Sequence, residues 1–303
     1  MRHVAHRIGW VSFWVLIFLG SVMGVTGFSS APGKTILNAG NFTGDMIVPR
    51  LEWQADYVNN GSWYNSLLPV AVKSDALNNT YVLTLKGGVT TQSNILLLKY
   101  GPLGNLIWES EYDGGYAGPG VKSLDVPVGM VFDSQGNIYV AGTTRTFNYS
   151  TNTPTYDDFV LVKYTPQGTQ EWVRTYNRDN GIGNSQDLLY DVAIDSQDNV
   201  YITGASALTA AFPAVGTFDY VTQKYSPKGQ LLWTSIQNNG SHDVPYALGV
   251  NESGVYVTGY GTFPHPFFPT VLNIDYYTVK LDPKNGNVIW SQRYDQGNYQ
   301  PDY

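Results

Sequence analysis

Short apolar runs of strand length, separated by clusters of Gly, Pro and Asn, make up most of the chain from residue 51 onward. The run FVLVKY (159–164) leads through the turn TPQG into a second run entered at Trp172. Proline presets φ and glycine tolerates positive φ, so this stretch reverses the chain and the two runs form a hairpin. In VGMVFDSQGNIYVAG (128–142) an apolar run, an Asp/Asn/Gly turn and an alternating run through Tyr139 predict a second kind of hairpin. Nothing in this region has the length or 3.6-residue period of a helix.

Both hairpins recur. DFVLVKYTPQGTQEW (158–172) returns as DYVTQKYSPKGQLLW (219–233) and, with one inserted residue, as DYYTVKLDPKNGNVIW (275–290). The other returns as YDVAIDSQDNVYITG (190–204), YALGVNESGVYVTG (246–259) and the weaker PVAVKSDALNNTYVLT (69–84). Lys99, Lys163, Lys224 and Lys280, and likewise Trp108, Trp172, Trp233 and Trp290, stand about 55 to 65 residues apart, with Trp53 one period earlier. One period therefore holds four short antiparallel strands, a to d. Such units in tandem are the signature of a β-propeller, in which each blade covers its neighbour's face. The four tryptophans are expected as blade-packing residues, one indole filling each wedge between sheets.

The expected fold is thus all-β: a β-propeller of four four-stranded antiparallel blades, about 68–112, 127–176, 190–236 and 246–294, plus one extra N-terminal strand, LEWQADY (51–57). The sequence stops at Tyr303, where a further strand a would be due. Either a small propeller with a leftover strand or an incomplete, open arc results. An open arc exposes apolar blade faces and would seek a partner, including a copy of itself.

The units resemble the SBBP repeats, β-propeller repeats of exported bacterial and archaeal proteins, through D-SQGN-IYVAG, D-FVLVKY-TPQG and EW. The likeness spans roughly residues 68–294 and is weaker in the first unit, where Asn94 takes the Asp position. It implies a propeller on an exported protein and brings no catalytic residues. LDPKNGNVIW (281–290) is also similar to the tryptophan-docking motif of pyrroloquinoline quinone enzymes, which implies a quinone-dependent propeller enzyme as the alternative.

Composition narrows the setting. Residues 8–33 are uncharged behind Arg2 and Arg7, so 1–31 reads as a signal peptide or a retained signal anchor, 32–50 as a linker and 51–303 as the repeat domain. Without Cys the chain has no disulfides or thiol chemistry and is held by packing. Removing the first 31 residues takes 17 basic residues to 15 against 24 acidic, and the formal charge from −7 to −9, which excludes nucleic acid as a partner. Asn41, Asn60, Asn78, Asn148, Asn239 and Asn251 stand in Asn-x-Ser/Thr triplets, glycosylation sites if the host uses them.

Short a–b and c–d turns share one rim of an up-and-down sheet, and the long b–c and d–a connections share the other. Long loops on a rigid scaffold carry binding residues. Tyr149, Tyr156, Phe212, Phe263, His265 and Phe267 are the candidate ligand-binding residues, because rings with polar tips suit sugar faces or peptide segments. Only His242 and His265 lie beyond the signal region, too few for a multi-histidine metal site or a His-based relay. Asp133 and its equivalents lack the alternating carboxylates of a calcium loop and suit a hairpin turn. No cofactor, metal or catalytic residue is expected. The function expected is a binding or structural module, secreted or at the cell surface, that engages a protein or glycan and meets the membrane only through an uncleaved N-terminal segment.

Overall fold

A computed structural model describes residues 67–88, 92–114, 121–148, 153–154, 156–178, 185–208, 218–239, 242–264 and 272–294. Contacts divide the chain into Met1–Val58 with Leu103–Asn105, and Asn59–Pro102 with Leu106–Tyr303. Only the tip Leu103–Asn105 of the first unit is described, and every strand below belongs to the second. The signal segment, the linker and LEWQADY lie outside the described residues.

Among the described residues every regular element is a β-strand. The first group is β1 (Leu67–Ser74), β2 (Thr80–Gly88), β3 (Gln92–Tyr100) and β4 (Leu106–Tyr112). The second is β5 (Val121–Phe132), β6 (Ile138–Asn148), the two-residue β7 (Thr153–Pro154), β8 (Asp158–Tyr164) and β9 (Gln170–Tyr176). The third is β10 (Ser185–Ile194), β11 (Val200–Leu208), β12 (Phe218–Tyr225) and β13 (Leu231–Gln237). The fourth is β14 (Val244–Asn251), β15 (Gly254–Pro264), β16 (Leu272–Leu281) and β17 (Val288–Tyr294). Within each group neighbouring strands pair antiparallel, and one parallel bridge, Ser93 to Leu124, joins the first two groups. Strands β5 and β10 begin at Val121 and Ser185, some residues ahead of the apolar runs that announce them.

Three of the four a–b turns are built around one carboxylate, and in the fourth Asn251 takes its place, its Oδ1 accepting the Ser253 N–H. Asp133 accepts the backbone N–H groups of Gln135 (3.0 Å) and Asn137 (2.8 Å) on Oδ1, and the Asn137 amide (2.8 Å) and Tyr139 hydroxyl (3.2 Å) on Oδ2. Asp75 and Asp195 repeat the arrangement with Asn79 and Tyr81, and with Asn199 and Tyr201. The fourth turn residue takes positive φ in Asn78 (61°), Gly136 (78°) and Asp198 (64°), the residue types that tolerate it. The recurring Asp, Asn and Tyr are thus one hydrogen-bonded clasp.

The same tyrosines begin a row across strands b, c and d. Tyr81, Lys99 and Trp108 stand opposite one another. So do Tyr139, Lys163 and Trp172; Tyr201, Lys224 and Trp233; and Tyr256, Lys280 and Trp290. Each ammonium lies over its tyrosine ring, as Lys224 does at 5.0 Å, and each indole meets the same ring at an angle, as Trp233 does at 5.8 Å.

That row locks one group to the next. Lys99 Nζ and Trp108 Nε1 both donate to the Pro166 carbonyl, at 3.3 and 3.1 Å, in the c–d turn of the second group. Lys224 Nζ and Trp233 Nε1 do the same to Pro283 of the fourth, at 2.9 and 3.2 Å, and Lys163 reaches Pro227 at 3.3 Å. Each indole covers the turn glycine: a Cβ on Gly168, Gly229 or Gly286 would stand 2.7 to 2.9 Å from Trp108, Trp172 or Trp233. All three glycines hold φ between 74° and 84°, so glycine is required there twice over. Two residues beyond each Trp, Ser110, Arg174 and Ser235 donate to the carbonyl of that glycine.

The apolar cores accordingly lie between sheets. Tyr81, Leu83 and Ile95 pack with Met130, Val140 and Val160; Phe159 and Leu161 with Val192 and Ile202; Tyr201 and Tyr220 with Val257 and Tyr277. Gly204, from the repeated Y-x-x-G sequence, sits so close beneath Phe159 of the preceding group that a Cβ would come within 2.5 Å of that ring.

Three outcomes follow. Trp233→Ala should lose about 3–5 kcal/mol in urea unfolding, whereas Trp290→Ala, exposed on the last sheet, should stay within about 0.5 kcal/mol in dilute solution. Gly204→Val should lose about 1–3 kcal/mol by overpacking. The Asp195 carboxyl is raised by burial, but its Asn199, Tyr201 and Gln197 donors outweigh this and hold it below its ordinary value. A carboxyl lowered in the fold contributes fully above its unfolded pKa and loses that contribution as pH falls through the lowered one. Asp195→Ala should therefore be most destabilising at neutral pH, with the gap to the parent chain narrowing as the medium is taken into the acid range; a constant gap would contradict this.

Candidate functional site

Strand a of every group has a register shift at the same place: between Pro69 and Ala71, Pro127 and Gly129, Leu189 and Asp191, and Pro245 and Ala247. The extra residue at such a bulge escapes the ladder and its side chain is re-aimed. The bulge residues are Val70, Val128, Tyr190 and Tyr246. Two neighbouring groups therefore present tyrosines from equivalent positions, and their rings meet edge to face at 5.6 Å and 86°.

Around this pair the aromatic surface continues. Tyr246 (57% exposed) lies 5.8 Å from Tyr260 of β15, which stacks on His242 at 6.3 Å and 17°. Phe218 closes the row against His242 at 4.9 Å. Burial, and then the neighbouring Tyr246 hydroxyl, raise the hydroxyl pKa values of Tyr190 and Tyr260, so both remain neutral donors across the physiological range.

The connection carrying His242 is anchored from below. Buried Asp243 accepts the backbone N–H of Asn239 (2.7 Å) on Oδ2 and that of Thr262 (3.2 Å) on Oδ1, while the His242 N–H donates to Thr262 Oγ1 (2.5 Å). Asp125 and Asp187 hold the preceding d–a connections through the N–H groups of Gly114 and Arg178. Burial raises all three carboxyls above their ordinary value against the pull of these donors. The row His242, Tyr260, Tyr246 and Tyr190 is thus held by rigid strands and a clamped connection, at the end of the sheets where the d–a and b–c connections emerge. Three phenols with polar tips around an open ring face can stack against an apolar ligand face and hydrogen-bond its rim. Among the described residues no cluster of three or more His, Asp or Glu could hold a metal ion.

Tyr149, Phe212, His265 and Phe267 lie outside the described residues. Tyr156 is half-buried, ahead of β8. Phe263 packs on Tyr277 at 5.7 Å under the Arg293 guanidinium at 4.5 Å, so its ring is engaged in the sheet. Among the candidate glycosylation sites, Asn41 and Asn60 lie outside the described residues, Asn148 ends β6, Asn78 and Asn251 are exposed in turns and Asn239 is half-buried beside Asp243. Lys99, Lys163 and Lys224 find prolyl carbonyls in the next group, and Lys280 lies over the Tyr256 ring. The strand-c aspartates pair elsewhere: Asp219 with Arg178 at 2.6 Å, Asp275 with Arg293 at 2.5 Å, and Asp158 with the Asn177 amide at 2.9 Å. Loop-based reasoning missed Tyr190, Tyr246 and Tyr260, which lie on strands. The available signal was that YDVAID and YALGVN open on the same residue at the same register.

No curated protein matches the chain significantly. Among solved structures it is similar to a polysaccharide lyase, an ulvan lyase, at 9% identity and a TM-score of 0.47, over 74% of this chain and 56% of that one. It is also similar to an α-L-arabinanase of Penicillium chrysogenum in complex with arabinobiose, at 12% identity and a TM-score of 0.40, over 80% of this chain and 74% of that one. The chain spans little more than half the length of the lyase. Residues 117–146, which include the Asp133 clasp and Tyr139, match the family model of SBBP, the beta-propeller repeat.

Proposed function

We propose that this chain is an exported β-propeller module whose four-stranded groups are its blades, and that it binds a glycan at the tyrosines of the third and fourth blades. The observation that carries the reading is the pair of bulge tyrosines, Tyr190 and Tyr246, extended by Tyr260 and His242. A sugar ring has apolar C–H faces and a hydroxyl rim, and rigid phenols match both features with little side-chain entropy to lose. The clamped connection at Asp243 adds preorganisation. Support for the propeller comes from the recurring clasp and Tyr–Lys–Trp row and from the match at 117–146. Export rests on the uncharged segment behind Arg2 and Arg7.

The test is a glycan array followed by calorimetry on the glycan retained. Tyr246→Ala and Tyr190→Ala should each weaken binding at least tenfold, about 1.4 kcal/mol, with unfolding midpoints little changed. Retention of a peptide or protein instead, or loss of binding on Phe267→Ala with Tyr246→Ala silent, would overturn the glycan assignment or its placement on the strands.

A further inference from the structure

Basic and acidic residues divide between the two ends of the sheets. In the third and fourth groups, residues 185–294, the lysines are Lys224, Lys228, Lys280 and Lys284, which stand near the end of strand c or in the c–d turn. They belong to the end opposite the aromatic row. At the row's own end, His242 apart, the basic side chains described in the second to fourth groups are arginines, and each holds a buried carboxylate. Arg178 pairs with Asp219 at 2.6 Å, Arg293 with Asp275 at 2.5 Å, and Arg145 with Asp157.

The rest of the sequence adds no excess of cations. Residues 89–91, 115–120, 149–152, 179–184, 209–217, 240–241 and 265–271 contain no Lys or Arg, one acid, Asp179, and one histidine, His265. Outside the segment read as the export signal, residues 32–66 bring Lys34 and Arg50 against Asp45, Glu52 and Asp56, and residues 295–303 bring Asp295 and Asp302 with no basic residue. Acids, by contrast, adjoin the row. Asp243 follows His242 in the chain, and burial, with a contribution from the Asp219 charge, raises its carboxyl above the ordinary value. Asp191 follows the bulge residue Tyr190, and its carboxylate accepts the Leu248 N–H at 2.7 Å. Burial and then the Tyr246 and Tyr190 hydroxyls raise the Tyr260 hydroxyl, and the Asp243 charge adds to this.

A sugar carboxylate or sulfate is recognised by a guanidinium or ammonium, whose charge-assisted hydrogen bonds replace the water that the anion gives up. Brought onto this row, such a group would lose its water without that replacement and would meet Asp243 and Asp191 at like charge. We infer that the glycan of this site is uncharged, built of neutral hexose or pentose units without uronate or sulfate groups, with a C–H face on the Tyr246 ring and its hydroxyls toward the phenols of Tyr190 and Tyr260. This assignment rests on the glycan reading of the row and adds selection by charge to it. The rings alone would accept a sugar and its acidic relative alike, and the acids beside them reject the acidic one.

Calorimetry on the full chain at pH 8 tests it, with oligosaccharides of glucose, mannose, galactose, xylose and arabinose set against those of glucuronate, mannuronate, galacturonate and sulfated galactose. A neutral series should bind, and its affinity should stay within about twofold as NaCl is raised from about 50 mM to about 500 mM, because no ion pair is there to be screened. Every acidic series should bind at least about tenfold more weakly than the neutral one at the lower salt, and Tyr246→Ala should weaken the neutral one by a similar factor. An acidic series bound as tightly as the neutral one and lost in Tyr246→Ala would overturn the selection by charge while leaving the glycan reading in place, and so would neutral binding that weakens steeply with salt. Failure of every sugar to bind, or binding that Tyr246→Ala leaves unchanged, would overturn the glycan reading and this inference with it.

Discussion

A backbone carbonyl just after a strand-c tyrosine or leucine holds this protein together. The oxygens of Pro166 and Pro283 each receive an ammonium and an indole N–H from the preceding sheet, and that of Pro227 receives Lys163. Proline suits the position because it presets the turn without presenting an N–H of its own. A lysine in a nearly apolar strand would be costly if unpaired. Here the ammonium has a tyrosine face beneath it and a carbonyl ahead of it, and Lys163 and Lys224 also have Glu171 (2.9 Å) and Asp195 (3.6 Å). The buried charge therefore acts as a register pin between sheets that apolar packing alone would let slide.

Every other repeated residue supports that joint. The Asp clasp holds the a–b turn and orients the tyrosine through its hydroxyl; the tyrosine carries the lysine and meets the indole; the turn glycine admits the indole; and the Y-x-x-G glycine lets the sheets approach. Because each element depends on the next, stability is distributed along the chain as nearest-neighbour terms, as in other repeat proteins. Among the described residues no group follows the fourth sheet, and Trp290, Tyr276 and Tyr294 are exposed there.

The aromatic row has a separate origin. A bulge in strand a frees one side chain per group from the ladder, and this position varies while the joint does not: Val70, Val128, Tyr190 and Tyr246. A scaffold residue is constrained by its partner in the next group. A bulge residue takes no part in the Tyr–Lys–Trp joint, so its chemistry can change without breaking that joint.

Much of this was legible before any coordinates. The two hairpins, the antiparallel order of the strands and the packing role of the tryptophans follow from turn chemistry and from a period that returns the same residues to the same register. That the aspartates and lysines of strand c point to opposite faces also follows from a period of two. Three things were decided only by the tertiary structure. The lysine's partner is a carbonyl about sixty residues away, which no local spacing encodes. The aromatic row forms because bulges turn Tyr190 and Tyr246 toward each other across two sheets, and a bulge leaves no mark in an alternating pattern. Which face of each sheet is covered depends on its neighbours, as Trp233 is buried by the fourth group, since a surface is buried only when a neighbour stands against it.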